Sequence, residues 1–87
     1  MGERMLHIGA DRVVRRRDIL AVLDRTKPSS PDTEAFLDAV KKRGRFFPFD
    51  GARSVVIVTI DGDVCAYETP VSADTIKKRG ASANAFV

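Results

Sequence analysis

The sequence predicts a small α+β domain, a mixed or antiparallel β-sheet with a central β-hairpin and two short helices. Three observations predict it. Residues 54–60 run Ser-Val-Val-Ile-Val-Thr-Ile, a β-branched stretch that ends in Asp61-Gly62, the dipeptide of a two-residue type I′ turn, and residues 63–69 supply the return strand. Residues 31–43 carry a complete helix signature: Ser30 as N-cap, Pro31 in the first turn, Lys41-Lys42-Arg43 in the last, and Gly44 behind it. Residues 72–79 repeat that signature in shorter form, from Ser72 to Lys77-Lys78-Arg79 and Gly80.

The elements follow in order. Leu6-His7-Ile8-Gly9 is a short extended segment that ends in a Gly-Ala-Asp turn. Val13-Val14 begins a second. Arg15-Arg16-Arg17-Asp18 suits no buried strand, so it marks a strand end or tight turn. Residues 19–23 are apolar throughout, and β-branched Ile19 and Val22 favour a strand after one helical turn. Residues 26–32 form a loop leading into the first helix, whose apolar stripe is Phe36, Leu37 and Val40. Residues 45–50 read as a strand broken by Pro48, which implies an edge or a bulge. Residues 1–80 then make one domain, and 81–87 a loose, flexible tail.

The central strand raises a question of coverage. Val55 and Ile57 point to one side, Val56, Val58 and Ile60 to the other, so both faces are apolar. Either the strand is sandwiched within one subunit or one face meets another subunit.

The 87 residues bury a thin core, and assembly is a common way for such chains to gain buried area. With 44% hydrophobic and 31% charged residues the chain lacks the signature of disorder. The single cysteine, Cys65, excludes an internal disulfide and fits a reducing compartment. Residues 1–7 hold no signal-peptide pattern and no apolar run approaches a membrane span, so a cytoplasmic protein is expected.

Catalytic chemistry finds little support, and no cofactor or metal is expected. His7 and Cys65 are the sole members of their types, and packing explains both. Zinc would need more ligands at fitting spacing. Asp61-Gly62-Asp63 lacks the further acids of a calcium loop. The six glycines sit singly at turns, so none forms a phosphate loop. Asp11, Asp18, Asp24 and Asp50 lie at turns, where aspartate is expected in any case.

The charge is more telling. The formal net charge is +3, and nine of the 15 Lys and Arg residues form the triplets 15–17, 41–43 and 77–79. Clustered positive charge attracts polyanions better than scattered charge. Lys41-Lys42-Arg43 and Lys77-Lys78-Arg79 have a simpler explanation as helix C-terminal charges that complement the macrodipole. Arg15, Arg16 and Arg17 have no such explanation, and arginine makes bidentate contacts to phosphate and to guanine edges. Arg53, beside the Gly51-Ala52 turn, is a further candidate, and equally a solvated charge guarding a strand edge. A few contacts per subunit bind weakly at physiological salt, and repetition through an assembly multiplies them.

Several segments together resemble one known family. They are Met5-Leu6-His7-Ile8-Gly9, Val13-Val14-Arg15, residues 18–24, residues 54–59, Asp63-Val64, and residues 72–79. In order and spacing these resemble the RemA/RemB extracellular-matrix regulators across residues 5–79, with the closer likeness to the RemB branch. The resemblance implies a small α+β subunit that assembles into a ring, binds double-stranded DNA at promoter regions and controls transcription of matrix (biofilm) genes. It further implies DNA contact through arginines on turns: Arg15, Arg16 and Arg17 after the second strand, and Arg53 before the strand at residues 54–59. Gly51-Ala52 stands where the RemA branch has adjacent arginines. An RNA-binding ring and a basic scaffold for an acidic protein partner are the competing expectations. Phe46, Phe47 and Phe49 look mainly like core, which leaves no aromatic platform for stacked bases.

Overall fold

The computed structural model describes residues 4–80 and the backbone of 85–86. The elements are β1 (Met5–Gly9), β2 (Arg12–Arg15), a 3-10 turn (Arg16–Asp18), β3 (Ile19–Asp24), α1 (Pro31–Lys42), β4 (Phe46–Phe47), β5 (Ser54–Ile60), β6 (Asp63–Thr69), α2 (Ala73–Lys78) and β7 (Ala85–Phe86). The expected α+β class, hairpin and two helices are all present. β1 and β2 form a separate antiparallel ribbon, and the other strands make a five-stranded sheet in the order β4-β6-β5-β3-β7. Its interior pairs are antiparallel, while β4 and β7 lie parallel to their neighbours, so the sheet is mixed. The expected tail falls mostly outside the described residues, and its 85–86 backbone lies alongside Ala21 and Val22.

The β5–β6 hairpin closes as its turn chemistry requires. Ile60 pairs with Asp63, and Asp61 and Gly62 take φ values of 52° and 78°, the two positive angles of a type I′ turn. β3 follows the 3-10 turn, as the β-branched residues predicted. The strand expected at 45–50 contracts to Phe46–Phe47 at the sheet edge, because Pro48 offers no N–H to a ladder.

Both faces of β5 are covered within one subunit. Val56 and Val58 pack with Leu6, Ile8 and Val14 of the ribbon and Ile76 of α2. Val55 and Ile57 pack with Leu37 and Val40 of α1. The molecule is therefore three layers: ribbon and α2, sheet, α1. The two-sided apolar strand accordingly gives no argument for assembly. Of the expected α1 stripe, Leu37 and Val40 are buried, whereas Phe36 is 42% exposed.

The α1 entry is held by its cap. The Ser30 hydroxyl accepts from the Thr33 N–H at 3.1 Å, and Asp32 and Glu34 face the positive end of the dipole. Ser30→Ala is expected to cost about 1 kcal/mol, read as a lower urea midpoint at unchanged m-value.

Two carboxylates near this loop titrate low. Asp24 is lowered by its hydrogen bonds from the Thr26 hydroxyl and N–H, with help from the charges of Lys27 and Arg53. Glu34 is lowered by hydrogen bonds from Ser29 and Arg25, the latter at 2.8 Å. A carboxyl whose folded pKa is depressed stabilises the fold above its unfolded pKa, and loses that contribution as pH falls through the folded value. Here the loss begins below about pH 4. Thr26→Val is expected to move the Asp24 midpoint up toward the ordinary aspartate value, read by carboxyl carbon NMR. An unmoved midpoint would count against the Thr26 bonds as the cause.

Candidate functional site

The site grows from the turn that joins the ribbon to the sheet. Strand β2 ends at Arg15, and the chain must reverse before β3 can enter the sheet. The 3-10 turn Arg16–Asp18 makes that reversal with no buried residue, so it can carry charge at little desolvation cost. Arg15 and Arg17 are exposed, and Arg16 is half-buried. Asp18 lies 3.9 Å from the Arg15 Nε, a loose exposed ion pair of small energetic weight.

Arg16 does something different from its neighbours. Its Nε donates to the Gly80 carbonyl just past α2, and its backbone N–H donates to the Arg4 carbonyl at 2.9 Å. The Arg16 side chain therefore clasps the end of α2 to the turn. A methyl on Gly80 would stand 3.2 Å from the Arg4 Nη2, so the Arg4 guanidinium packs there too. The Arg79 Nη1 donates to the His7 carbonyl of β1 at 3.0 Å.

These contacts gather three stretches distant in sequence. Arg4, the Arg15–Arg17 turn and the Lys77-Lys78-Arg79 helix end form one basic cluster at one end of the molecule. The α2 triplet does sit at a helix C-terminus, where it complements the dipole. Its position beside the arginine turn follows from docking, not from helix chemistry. Lys78 reaches Asp74 at 3.4 Å, with both side chains more than 70% exposed, so the pair leaves its charge in water.

Arg53 is elsewhere. Ile19 pairs with Val58 and Asp24 with Ser54, so Arg53 borders the far end of the β3–β5 pair from the Arg15–Arg17 turn. Five residues of strand separate the two ends, about 17 Å at ~3.4 Å per residue. Its backbone is held on both sides: the N–H donates to the Thr69 carbonyl at 2.8 Å, and the carbonyl accepts from Arg25 at 2.9 Å. The side chain is exposed. The structure therefore does not join Arg53 to the other three candidates.

Two members of the remaining triplet, Lys41 and Arg43, are engaged internally, together with Arg45. Arg43 pairs with Asp63, Arg45 reaches the same carboxylate at 3.2 Å, and the Lys41 Nζ sits 4.8 Å from the Phe46 ring centroid. These charges tie α1 and its exit loop to the sheet edge. Phe46 and Phe47 pack on opposite faces of that edge, as core residues should, but Phe49 is 38% exposed.

Arg4 and Arg12 were not legible as special in the sequence. Arg12 lies over Tyr67 and Phe47, 4.6 and 5.2 Å from their ring centroids, and its Nε is buried without a hydrogen-bond partner. No pattern in the sequence announces a guanidinium on an aromatic pair drawn from two other strands. Cys65 is buried and His7 exposed, on different elements. Among the described residues no group of His, Cys, Asp and Glu could hold a metal ion. Among them also, no helix is long and apolar enough to cross a membrane.

No family model matches the chain. Over 75 residues, 85% of this chain and 86% of the relative, it is 35% identical to extracellular matrix regulatory protein B of Bacillus subtilis (strain 168).

Proposed function

The chain belongs to the RemA/RemB family of extracellular matrix regulatory proteins, and from that premise we propose that it is a cytoplasmic, oligomeric, DNA-binding regulator of matrix genes. The observation that carries the reading is the convergence of Arg4, the Arg15–Arg17 turn and the basic end of α2 on one face. Such a face suits a polyanion whose charges recur along a line. It needs no buried charge and no induced change of fold, because the turn already projects from a rigid sheet.

Arg15 and Arg17 contact backbone phosphates in this reading, and Arg16 holds the platform. Arg53 reaches a second stretch of backbone. Its offset of about 17 Å equals an advance of roughly five base steps at ~3.4 Å per step along a duplex axis. A single copy makes too few contacts for useful affinity, and repetition around an assembly supplies the rest.

The test is a fluorescence-anisotropy titration of labelled duplex DNA and of single-stranded RNA of equal length, across a salt series. Duplex binding is expected, with log K falling linearly against log salt at a slope of about −0.9 per phosphate contacted. Preference for single-stranded RNA would favour an RNA-binding ring. Binding of neither polymer at moderate salt would overturn the nucleic-acid reading and favour a protein-binding scaffold.

A further inference from the structure

Arg12 is the odd charge of the ribbon. It is half-buried, and its guanidinium lies 4.6 Å from the Tyr67 ring centroid and 5.2 Å from that of Phe47. The two rings stack on each other with centroids 4.9 Å apart. Among the described residues no carboxylate, carbonyl or hydroxyl accepts a hydrogen bond from this guanidinium, and its Nε is buried with no acceptor. A guanidinium carries N–H donors all round its edge, and removing them from water without partners is costly. The aromatic faces offset part of that cost and fix the plane of the fork, but they leave the donors on its edge unused.

Arg12 also lines a groove of about 530 Å³ on the ribbon side of the sheet, a size that suits a small molecule. Much of the remaining wall is apolar. Met5, Val13 and Ile60 line it, three of the five large apolar side chains exposed among the described residues, and buried Val58 lies with them. Tyr67 pairs with Val56 and Ile60 with Asp63, so the ring under Arg12 and the apolar end at Ile60 are four strand residues apart. At ~3.4 Å per residue that is about 14 Å. The groove therefore has a cationic end and an apolar end. On the α1 side of the sheet, Phe36 with Leu20, Leu23 and Ile57 lines a second apolar hollow of about 320 Å³, whose charged residue is Asp32. That hollow offers an apolar chain no cation.

The other charges of the groove narrow the ligand further. Arg15, Asp18 and Asp61 line it as well. Asp18 stands 3.9 Å from the Arg15 Nε, and Asp61 lies at the hairpin turn beyond Ile60, away from the Tyr67 ring. Arg12 and Arg15 against Asp18 and Asp61 leave no net charge, so a doubly charged phosphate gains little from the groove. A single carboxylate meets Arg12 where no acid stands.

We infer that the ribbon-side groove binds a small amphipathic monocarboxylate, its carboxylate accepting from the Arg12 guanidinium and its aliphatic chain lying along Val13 and Ile60. The site stands apart from the nucleic-acid reading, although Arg15 belongs both to the groove wall and to the arginine turn.

The test titrates octanoate, octylammonium and inorganic phosphate into the full chain. Binding is read by isothermal titration calorimetry and by the fluorescence of Tyr67, the sole tyrosine of a chain without tryptophan. Octanoate is expected to saturate with a Kd on the order of 1 mM or tighter and to change the Tyr67 emission. Octylammonium and phosphate are expected to do neither. Arg12→Gln is expected to weaken octanoate roughly 10- to 100-fold, as loss of a hydrogen bond to a charged partner does. Val13→Glu sets a like charge on the exposed wall and is expected to weaken it too, while Phe36→Ser leaves it unchanged. Circular dichroism melts confirm folding, and Val13→Glu decides alone if Arg12→Gln does not fold. Wild-type protein that takes up no octanoate overturns the site. Octylammonium bound as tightly as octanoate overturns the role of Arg12, and phosphate bound as tightly overturns the monocarboxylate as the ligand class. Phe36→Ser weakening octanoate as much as the groove variants overturns the placement.

Discussion

Arg15→Ala with Arg17→Ala is expected to flatten the salt dependence of duplex binding by about 1.8 units of slope for each engaged copy, at ~0.9 per lost phosphate contact. At physiological salt each such contact carries roughly half a decade of affinity, so one copy loses about tenfold and several engaged copies compound the loss. The fold is expected to survive unchanged. Both side chains are exposed, and the ion pair of Arg15 with Asp18 is a loose one at 3.9 Å. Arg16 is deliberately left in place. Its Nε holds the Gly80 carbonyl, and truncating it would strip a half-buried acceptor at a cost of about 1 kcal/mol or more. An Arg16→Ala variant is therefore expected to lower the melting midpoint, which the double variant does not. Duplex affinity and slope unchanged in the double variant would remove the arginine turn from the interface.

Gly9→Ala is expected to be among the most damaging single substitutions in the chain. Gly9 ends β1 with φ at 95°, a conformation that costs an L-residue about 1–2 kcal/mol. It also faces the core wall where β6 runs into α2. An added methyl would stand 2.6 Å from the Val71 Cγ2 and would overlap the Thr69 hydroxyl. Neither neighbour can give way easily. The Thr69 Oγ1 accepts from the Val71 N–H at 3.2 Å, and the Val71 carbonyl accepts from the buried Ser54 hydroxyl at 2.7 Å. Overpacking of this kind adds about 1–3 kcal/mol. The sum, about 2–5 kcal/mol, is a large share of the 5–15 kcal/mol that holds a typical domain. Urea unfolding monitored by circular dichroism reads the loss directly. Gly62→Ala makes the comparison: φ there is 78°, but nothing lies within 4 Å of the added methyl. Equal losses at the two positions would show that backbone conformation alone, not the close approach, sets the cost at Gly9.

Gly9 also illustrates where reading a chain stops. As a sequence feature it is one turn glycine among six. Its contact with Thr69 and Val71 spans 60 residues and leaves no local mark. Phe36 fails in the opposite direction. Its spacing with Leu37 and Val40 places it on the buried stripe, yet α1 lies toward the β4–β6 side of the sheet, and Phe36 is left beside an open hollow lined by β3. Burial is decided by the width of the surface beneath a helix, which periodicity does not report.

What the sequence determined by itself was everything governed by neighbours a few residues apart. The Asp61-Gly62 turn, the Ser30 and Ser72 caps, the glycine stops and the β-branched strands all follow from backbone sterics and short-range hydrogen bonds. So does the placing of Arg15, Arg16 and Arg17 on a turn, since three successive guanidinium groups cannot enter a core. The order and spacing of these segments also carried the family likeness. Tertiary structure alone decided that β5 is covered on both faces, that α2 delivers its lysines and Arg79 to the arginine turn, and that Arg53 stands at the other end of the sheet. It alone set Arg12 on two aromatic rings and turned two apolar patches outward on opposite sides. These outcomes depend on which surfaces meet when layers pack, and the free energy of that choice is shared among residues tens of positions apart.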